Sequence, residues 1–170
     1  MLEEGSEERV FFVLALETAM RMHECDTLYT DQVSLQKRTI HLECSKHGDS
    51  RQVPISSVAR EQIDNFMGEH RADIAARGGR LFSFWRGDPA VRPLGRTTAE
   101  VSRRFRIAFT DAGVQGITFH DLRQEATCRL FERTSLSDAL IAKITGHRDP
   151  ACCGAMPACG VATWRRISGK

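Results

Sequence analysis

Apolar positions between residues 7 and 22 recur at helical spacing, with Val10, Phe11, Val13, Leu14, Leu16 and Met20 forming the stripe of an amphipathic helix. The period then drops to two. Thr39-Ile40-His41-Leu42-Glu43-Cys44 alternates as a strand, Ser45 to Ser50 is a polar turn, and Arg51-Gln52-Val53-Pro54 returns as a second strand. A short strand near Val33 completes a small antiparallel sheet, with Lys46 at the tip or edge of its hairpin. Helical spacing resumes over 57–76 and ends at Gly78-Gly79. Residues 80–96 set Phe82, Phe84 and Trp85 among glycines and prolines, which predicts a loop holding a short buried strand. Thr97-Thr98-Ala99-Glu100 offers a capping box for a helix running to about Ala112, stopped by Gly113. Helices over 120–133 and 137–145 follow, the second closed by Gly146 as a C-cap. The pattern predicts an α+β fold, mainly α-helical with a small antiparallel β-sheet.

Length and composition narrow the class. A chain of 170 residues, 41% hydrophobic and 27% charged, suits one globular domain. No apolar run approaches the ~20 residues of a membrane span. The acidic start, Met1-Leu2-Glu3-Glu4-Gly5-Ser6-Glu7-Glu8, lacks the basic and apolar regions of a signal peptide, so a cytoplasmic location is expected and no membrane partner. Net charge is only +2 but unevenly placed: residues 77–133 hold eleven arginines, no lysine and six acids. Such a stretch suits a phosphate-bearing partner, because the guanidinium fork matches phosphate oxygens; a solvated helix face has the same composition. Cys25, Cys44 and Cys128 sit in apolar or helical stretches as small buried thiols do. Cys152, Cys153 and Cys159 crowd together without C-x-x-C spacing, so a zinc site formed by them with His147 is set aside.

The residues that bear on chemistry are basic. His120 and Arg123, three apart, point the same way on a helix and together donate several hydrogen bonds to one phosphate. His147 follows the Gly146 C-cap, a place histidine also occupies for the helix dipole alone. Arg21 near a helix end and Lys46 in a polar turn each have an ordinary solvated reading.

Order lifts these residues together. Glu17-Thr18-Ala19-Met20-Arg21-x-x-Glu24, then Ser45-Lys46-x-Gly48-Asp49, then His120-x-x-Arg123, then Gly146-His147, resemble the tyrosine recombinase (phage integrase) family over roughly residues 8–150. The Asp31–Leu42 string and the Arg51-Gln52-Val53-Pro54-Ile55 strand look like that family's as well. The resemblance implies the tyrosine recombinase catalytic (DNA breaking-rejoining) fold, and metal-free, cofactor-free cleavage of double-stranded DNA through a phosphotyrosyl intermediate. It implies that Arg21 and Arg123 hold the non-bridging oxygens of the scissile phosphate, stabilising transition-state charge. His120 then assists and handles protons, His147 donates a further hydrogen bond, and Lys46 protonates the departing 5′-oxygen. Glu24 resembles the family's supporting acid, and self-association to a tetramer on DNA follows the family's habit. A type IB topoisomerase shares much of this clamp chemistry, but the sequence context is that of integrases.

The chain departs from the family at its nucleophile. The tyrosine expected nine residues after His147 is replaced by Met156, whose thioether cannot attack phosphorus. The only tyrosine, Tyr29, falls outside the catalytic motifs and reads as structural. A lost base accounts for the abrupt Cys/Gly/Ala composition after Pro150: with one choice of codons, restoring it yields R-V-L-R-R-Y-A-R-L-R and a tyrosine codon at position 156. The resemblance also begins within the first ten residues, with no counterpart of the family's usual N-terminal helical DNA-clasping domain. The expected organisation is therefore an integrase catalytic domain over 1–150 and an aberrant tail over 151–170, which a frameshift puts in place of the tyrosine-bearing helix. The function expected is site-specific recombination or integration, defective for want of its tyrosine; the alternative is a non-catalytic DNA-binding remnant.

Overall fold

The structure is a computed structural model, and it describes residues 2–43 and 50–147. Lys46, Cys44 and the tail with Met156, Cys152, Cys153 and Cys159 lie outside the described residues.

The first helix, α1 (Glu7–Thr18), starts where the Ser6 hydroxyl accepts from the Arg9 amide and buries Val10, Phe11, Leu14 and Ala15. The sequence predicted it to run on to residue 22. Instead Ala19 turns left-handed (φ 55°), and after a short extended link Arg21 caps a separate helix, α2 (Met22–Asp26). That break, made without glycine, frees the Ala19 carbonyl and brings Arg21 out of the helix. A single 3-10 turn at Thr30–Gln32 leads into β1 (Val33–Ser34), β2 (Thr39–Leu42) and β3 (Arg51–Pro54). The sheet is antiparallel in the order β1-β2-β3, with Val33 opposite Ile40 and Ile40 opposite Val53, so the apolar residues share the buried face.

The helix expected over 57–76 is two, α3 (Ser57–Glu69) and α4 (Arg71–Ala76), parted at His70. The strand expected within 80–96 is reduced to one bridge between Tyr29 and Arg80; Phe82 and Phe84 are buried as loop residues. The next helix, α5 (Leu94–Asp111), begins three residues before the expected capping box, behind Pro93. Thr97 is fully buried there, and the Thr98 hydroxyl donates to the Leu94 carbonyl rather than capping. Proline's fixed φ suits a helix start and wins over the threonine signal. Two further helices, α6 (Phe119–Arg133) and α7 (Asp138–Thr145), fall close to their predicted bounds, and Gly146 closes α7 in the left-handed conformation (φ 73°).

Phe11 is the hub of the core. Its ring meets Phe82, Phe84, Phe105 and Phe119 at centroid distances of 5.0, 5.3, 5.8 and 5.4 Å, tying α1 to α5, α6 and the 80–96 loop. α1 also packs on α3, while α7 packs on β3. Cys25 and Cys128 are buried, as expected. Among the described residues no helix is long and apolar enough to cross a membrane.

Candidate functional site

The site forms where three segments far apart in sequence meet the C-terminal end of α7. A helix end leaves its last carbonyls without intrahelical partners and carries partial negative charge. Here three successive carbonyls each accept from a different arginine. Arg51 Nε donates to Ile144 O (3.0 Å), Arg123 Nη2 to Thr145 O (2.7 Å), and Arg21 Nη2 to Gly146 O (2.7 Å). Arg123 Nη1 meanwhile donates to Ala19 O (2.6 Å), the carbonyl released by the break after α1. Arg123 is 5% exposed, so its charge is held in the interior by backbone carbonyls.

Glu24 knits two of these cations together. Its Oε2 accepts from the Arg21 amide (2.7 Å) and from Arg51 Nη2 (2.7 Å), and its Oε1 from Arg21 Nη1 (3.1 Å). Burial pushes its carboxyl up, but the hydrogen bonds from Arg51 and the Arg21 amide outweigh that and hold it below its ordinary value. Gly146 is required twice over: its φ is left-handed, and a Cβ would stand 3.0 Å from Arg51 Cζ and 3.1 Å from Arg21 Nη1.

His147 is bound on both sides. Its Nδ1 lies 2.7 Å from Thr145 Oγ1, whose hydroxyl proton is directed to Ile141 O (2.8 Å). Its Nε2 lies 3.4 Å from Arg123 Nη2, a group that can only donate. The network therefore assigns the neutral tautomer with the proton on Nδ1, given to Thr145, and Nε2 accepting from Arg123. Burial, then the Arg123 and Arg21 charges, lower the imidazole to about 4. The hydrogen bond the resemblance expected His147 to donate thus needs a second proton or a ring movement, both favoured once an anion offsets the arginines.

A cleft of about 750 Å³ opens beside this cluster, lined by Arg21, His23, His120 and Arg123 on its basic side and by Met20, Leu94 and Phe119 among its apolar walls. His120 is exposed and Arg123 buried, yet both reach the same cleft, as the i, i+3 spacing on α6 requires. Arg21, Glu24, His120, Arg123 and His147 are therefore brought together. The sequence reading did not single out His23 or Arg51. Burial and the neighbouring arginines, against Glu24, lower the His23 imidazole below its ordinary value. His23 shares the Arg21-x-x-Glu24 motif and could have been flagged; Arg51 stands in a strand with no signal of its own. Among the described residues no group of histidines, cysteines and acids is clustered as a metal site.

The arginine-rich stretch resolves differently from its appearance on paper. Arg77 donates to the Arg80 and Leu81 carbonyls, Arg92 pairs with Glu100, Arg104 with Glu100 and Glu8, and Arg129 with Glu125 and Glu17. Much of that charge serves internal contacts. The basic cleft is instead built from residues spread along the whole chain.

The chain belongs to the phage integrase family, whose sequence profile matches residues 3–154. It is 36% identical over 139 residues to the shufflon-specific DNA recombinase of Escherichia coli, covering 82% of this chain and 31% of that protein. Its fold is similar to that of XerA recombinase (TM-score 0.71, 19% identity, 98% of this chain and 61% of that one). It is also similar to XerH site-specific recombinase in a post-cleavage complex with palindromic difH substrate (TM-score 0.71, 15% identity, 99% and 47%). The chain thus spans about a third of the Escherichia coli relative and less than two thirds of each of these solved chains, and the fold expected from sequence is the one found.

Proposed function

We propose that this chain is the DNA-gripping catalytic domain of a site-specific recombinase, able to hold a duplex phosphate but not to cut it in its present sequence. The observation that carries the reading is the convergence of Arg21, Arg123 and His120 on one cleft, with His147 against Arg123, in a member of this family. Two guanidiniums held rigid by carbonyls present fixed donors to a tetrahedral anion, and so stabilise charge developing on phosphorus without reorganisation. His120, exposed at the cleft, is placed for proton handling, and Lys46 is assigned by family resemblance to the leaving 5′-oxygen. Glu24 keeps Arg21 in place. Domain 1–150 carries this machinery, and tetramer formation on DNA is part of the same proposal.

Met156 decides the outcome. A thioether has no proton to give up and forms no stable phosphorus ester, so the phosphotyrosyl step has no nucleophile, and losing a nucleophile costs roughly a millionfold in other enzymes. The test uses a fluorescein-labelled DNA duplex and its nicked counterpart. The expected result is salt-dependent binding of both, weakened by Arg21→Met with a slope lower by about 0.9, and no covalent adduct on the nicked duplex. A chain carrying R-V-L-R-R-Y-A-R-L-R after Pro150 is expected to form the adduct. Adduct formation by the present sequence refutes the missing-nucleophile reading; absence of DNA binding refutes the whole. Resequencing the gene through codons 148–170 decides whether the tail is frameshifted.

A further inference from the structure

Arg51 belongs to no motif that the sequence reading assigned to chemistry, yet its guanidinium joins three parts of the site. Its Nη2 donates to Glu24 Oε2 at 2.7 Å, its Nε donates to Ile144 O at 3.0 Å, and its Cζ packs 3.0 Å from where a Cβ on Gly146 would stand. The pair is shielded, with side-chain exposure of 11% for Arg51 and 13% for Glu24, against 39% for Arg21. Arg51 opens β3, five residues after Lys46 in the sequence. It is thus the strand residue through which the sheet is fastened to both α2 and the end of α7.

Two features set this arginine apart from a plain structural ion pair. First, among the described residues Glu24 is the only side chain fixing Arg21, and Arg51 holds the same oxygen that accepts from the Arg21 amide. Without Arg51 the carboxylate keeps only the Arg21 amide and Nη1 as donors, and the Arg21 guanidinium is left with that less constrained carboxylate and Gly146 O. Second, Arg51 draws on Ile144, the first of the three carbonyls that seat the arginines, so it sets where Thr145 and Gly146 present theirs. We propose that Arg51 is a positioning residue of the phosphate clamp, fixing the Glu24 carboxylate and the α7 end so that Arg21 and Arg123 face one phosphate. This rests on the reading that the cleft grips a DNA phosphate. The fork is essential, because a lysine ammonium is a point charge that does not span a carboxylate and a carbonyl in fixed directions.

The experiment compares wild type, Arg51→Met and Arg51→Lys for binding to a fluorescein-labelled DNA duplex of mixed sequence across a salt series. Side-chain NMR of Arg21 Nε–H and of the His147 ring is recorded on the DNA-free proteins. Both variants are expected to bind about tenfold more weakly, the size of loss typical of removing an outer-shell partner. The salt slope stays unchanged, because the number of phosphate contacts is the same. The Arg21 Nε–H resonance moves in both, and the His147 ring titrates at higher pH in Arg51→Met. A slope lower by about 0.9 overturns the proposal by making Arg51 a phosphate ligand itself. Full rescue by Arg51→Lys overturns it by reducing Arg51 to a counter-charge, and an unmoved Arg21 resonance in both variants overturns it outright. If wild type fails to bind DNA, the phosphate-gripping function falls, while the Arg21 and His147 resonances still decide what Arg51 positions.

Discussion

Asp26 and His147 both carry less charge at neutral pH than they do in water, and they pull the pH dependence of stability in opposite directions. Asp26 is fully buried on α2; its Oδ2 lies 3.3 Å from Thr98 Oγ1, and its Oδ1 has no hydrogen-bond partner among the described residues. Burial pushes its carboxyl up to about 7, with Thr98 pulling the other way. Thr98 also donates to Leu94 O, so a carboxyl that keeps its proton and donates it to Thr98 satisfies both groups. The folded state then binds a proton that the unfolded state has already lost between pH 4 and 7. That stabilisation is full below pH 4 and is lost as pH rises through 7. For His147 the folded state refuses a proton that the unfolded state takes up below 6.5, so stability falls as pH drops from 6.5 towards 4. Asp26→Asn is expected to raise stability at pH 8 by about 1–2 kcal/mol and to leave pH 4 nearly unchanged, read by urea unfolding at the two pH values. With the Asp26 contribution removed, the remaining slope should show a loss on acidification to which His147 and His23 contribute below 6.5 and Glu24 nearer 4, the His147 share about 1 kcal/mol for a ring that is part-exposed and solvent-screened. A His147 ring titrating near 6.5 by NMR contradicts this account.

Gly146 shows how one position serves an element and a site together. Its amide and that of His147 both donate to Ala142 O (2.7 and 3.0 Å), which closes α7. Gly146→Ala adds a left-handed alanine, costing about 1 kcal/mol, and sets a methyl against two guanidiniums that move only by releasing Glu24, Ile144 or Gly146. A loss of about 1–3 kcal/mol on thermal unfolding is expected, together with weaker DNA binding, whereas a distant destabilising change leaves the affinity of the folded fraction intact. The hydrophobic period made α6 and α7 legible because each has one buried stripe and a clear stop. It failed where tertiary contacts overrode local preference: at Ala19, where α1 breaks to give its carbonyl to Arg123, and at Pro93, which starts α5 ahead of the threonines. That His120 and Arg123 share one face of α6 was readable from their spacing, while their role came only with the family resemblance. Arg51 was not readable, since its partners Glu24 and Ile144 lie 27 and 93 residues away, beyond any local pattern.

Across the whole molecule, the Phe11 ring cluster carries the heaviest mechanical load. Phe11→Ala removes a fully buried ring from four aromatic contacts and is expected to cost about 3–5 kcal/mol, a large part of the 5–15 kcal/mol that holds a typical domain. Chemical denaturation should show the midpoint falling with the slope kept. DNA binding should fail at the same denaturant concentration, because α1 also delivers the Ala19 carbonyl to Arg123. The charge distribution was the least legible property at this scale, for a run of arginines in sequence says nothing of which ones Glu8, Glu17, Glu100 and Glu125 claim. The arginine seats on α7 have a consequence for synthesis. The hydrogen bonds of Arg51 and Arg21 span 93 and 125 residues, and Arg123, 22 residues from Thr145, reaches back 104 to Ala19, so the early segment can pair Glu24 with Arg21 and Arg51 but cannot seat either arginine on α7 by itself. A ribosome must have released the chain almost to Gly146 before Arg21 meets its carbonyl, and a polypeptide cut short by premature termination carries its cations unseated. A phosphate held in that cleft therefore reports that translation has passed Gly146.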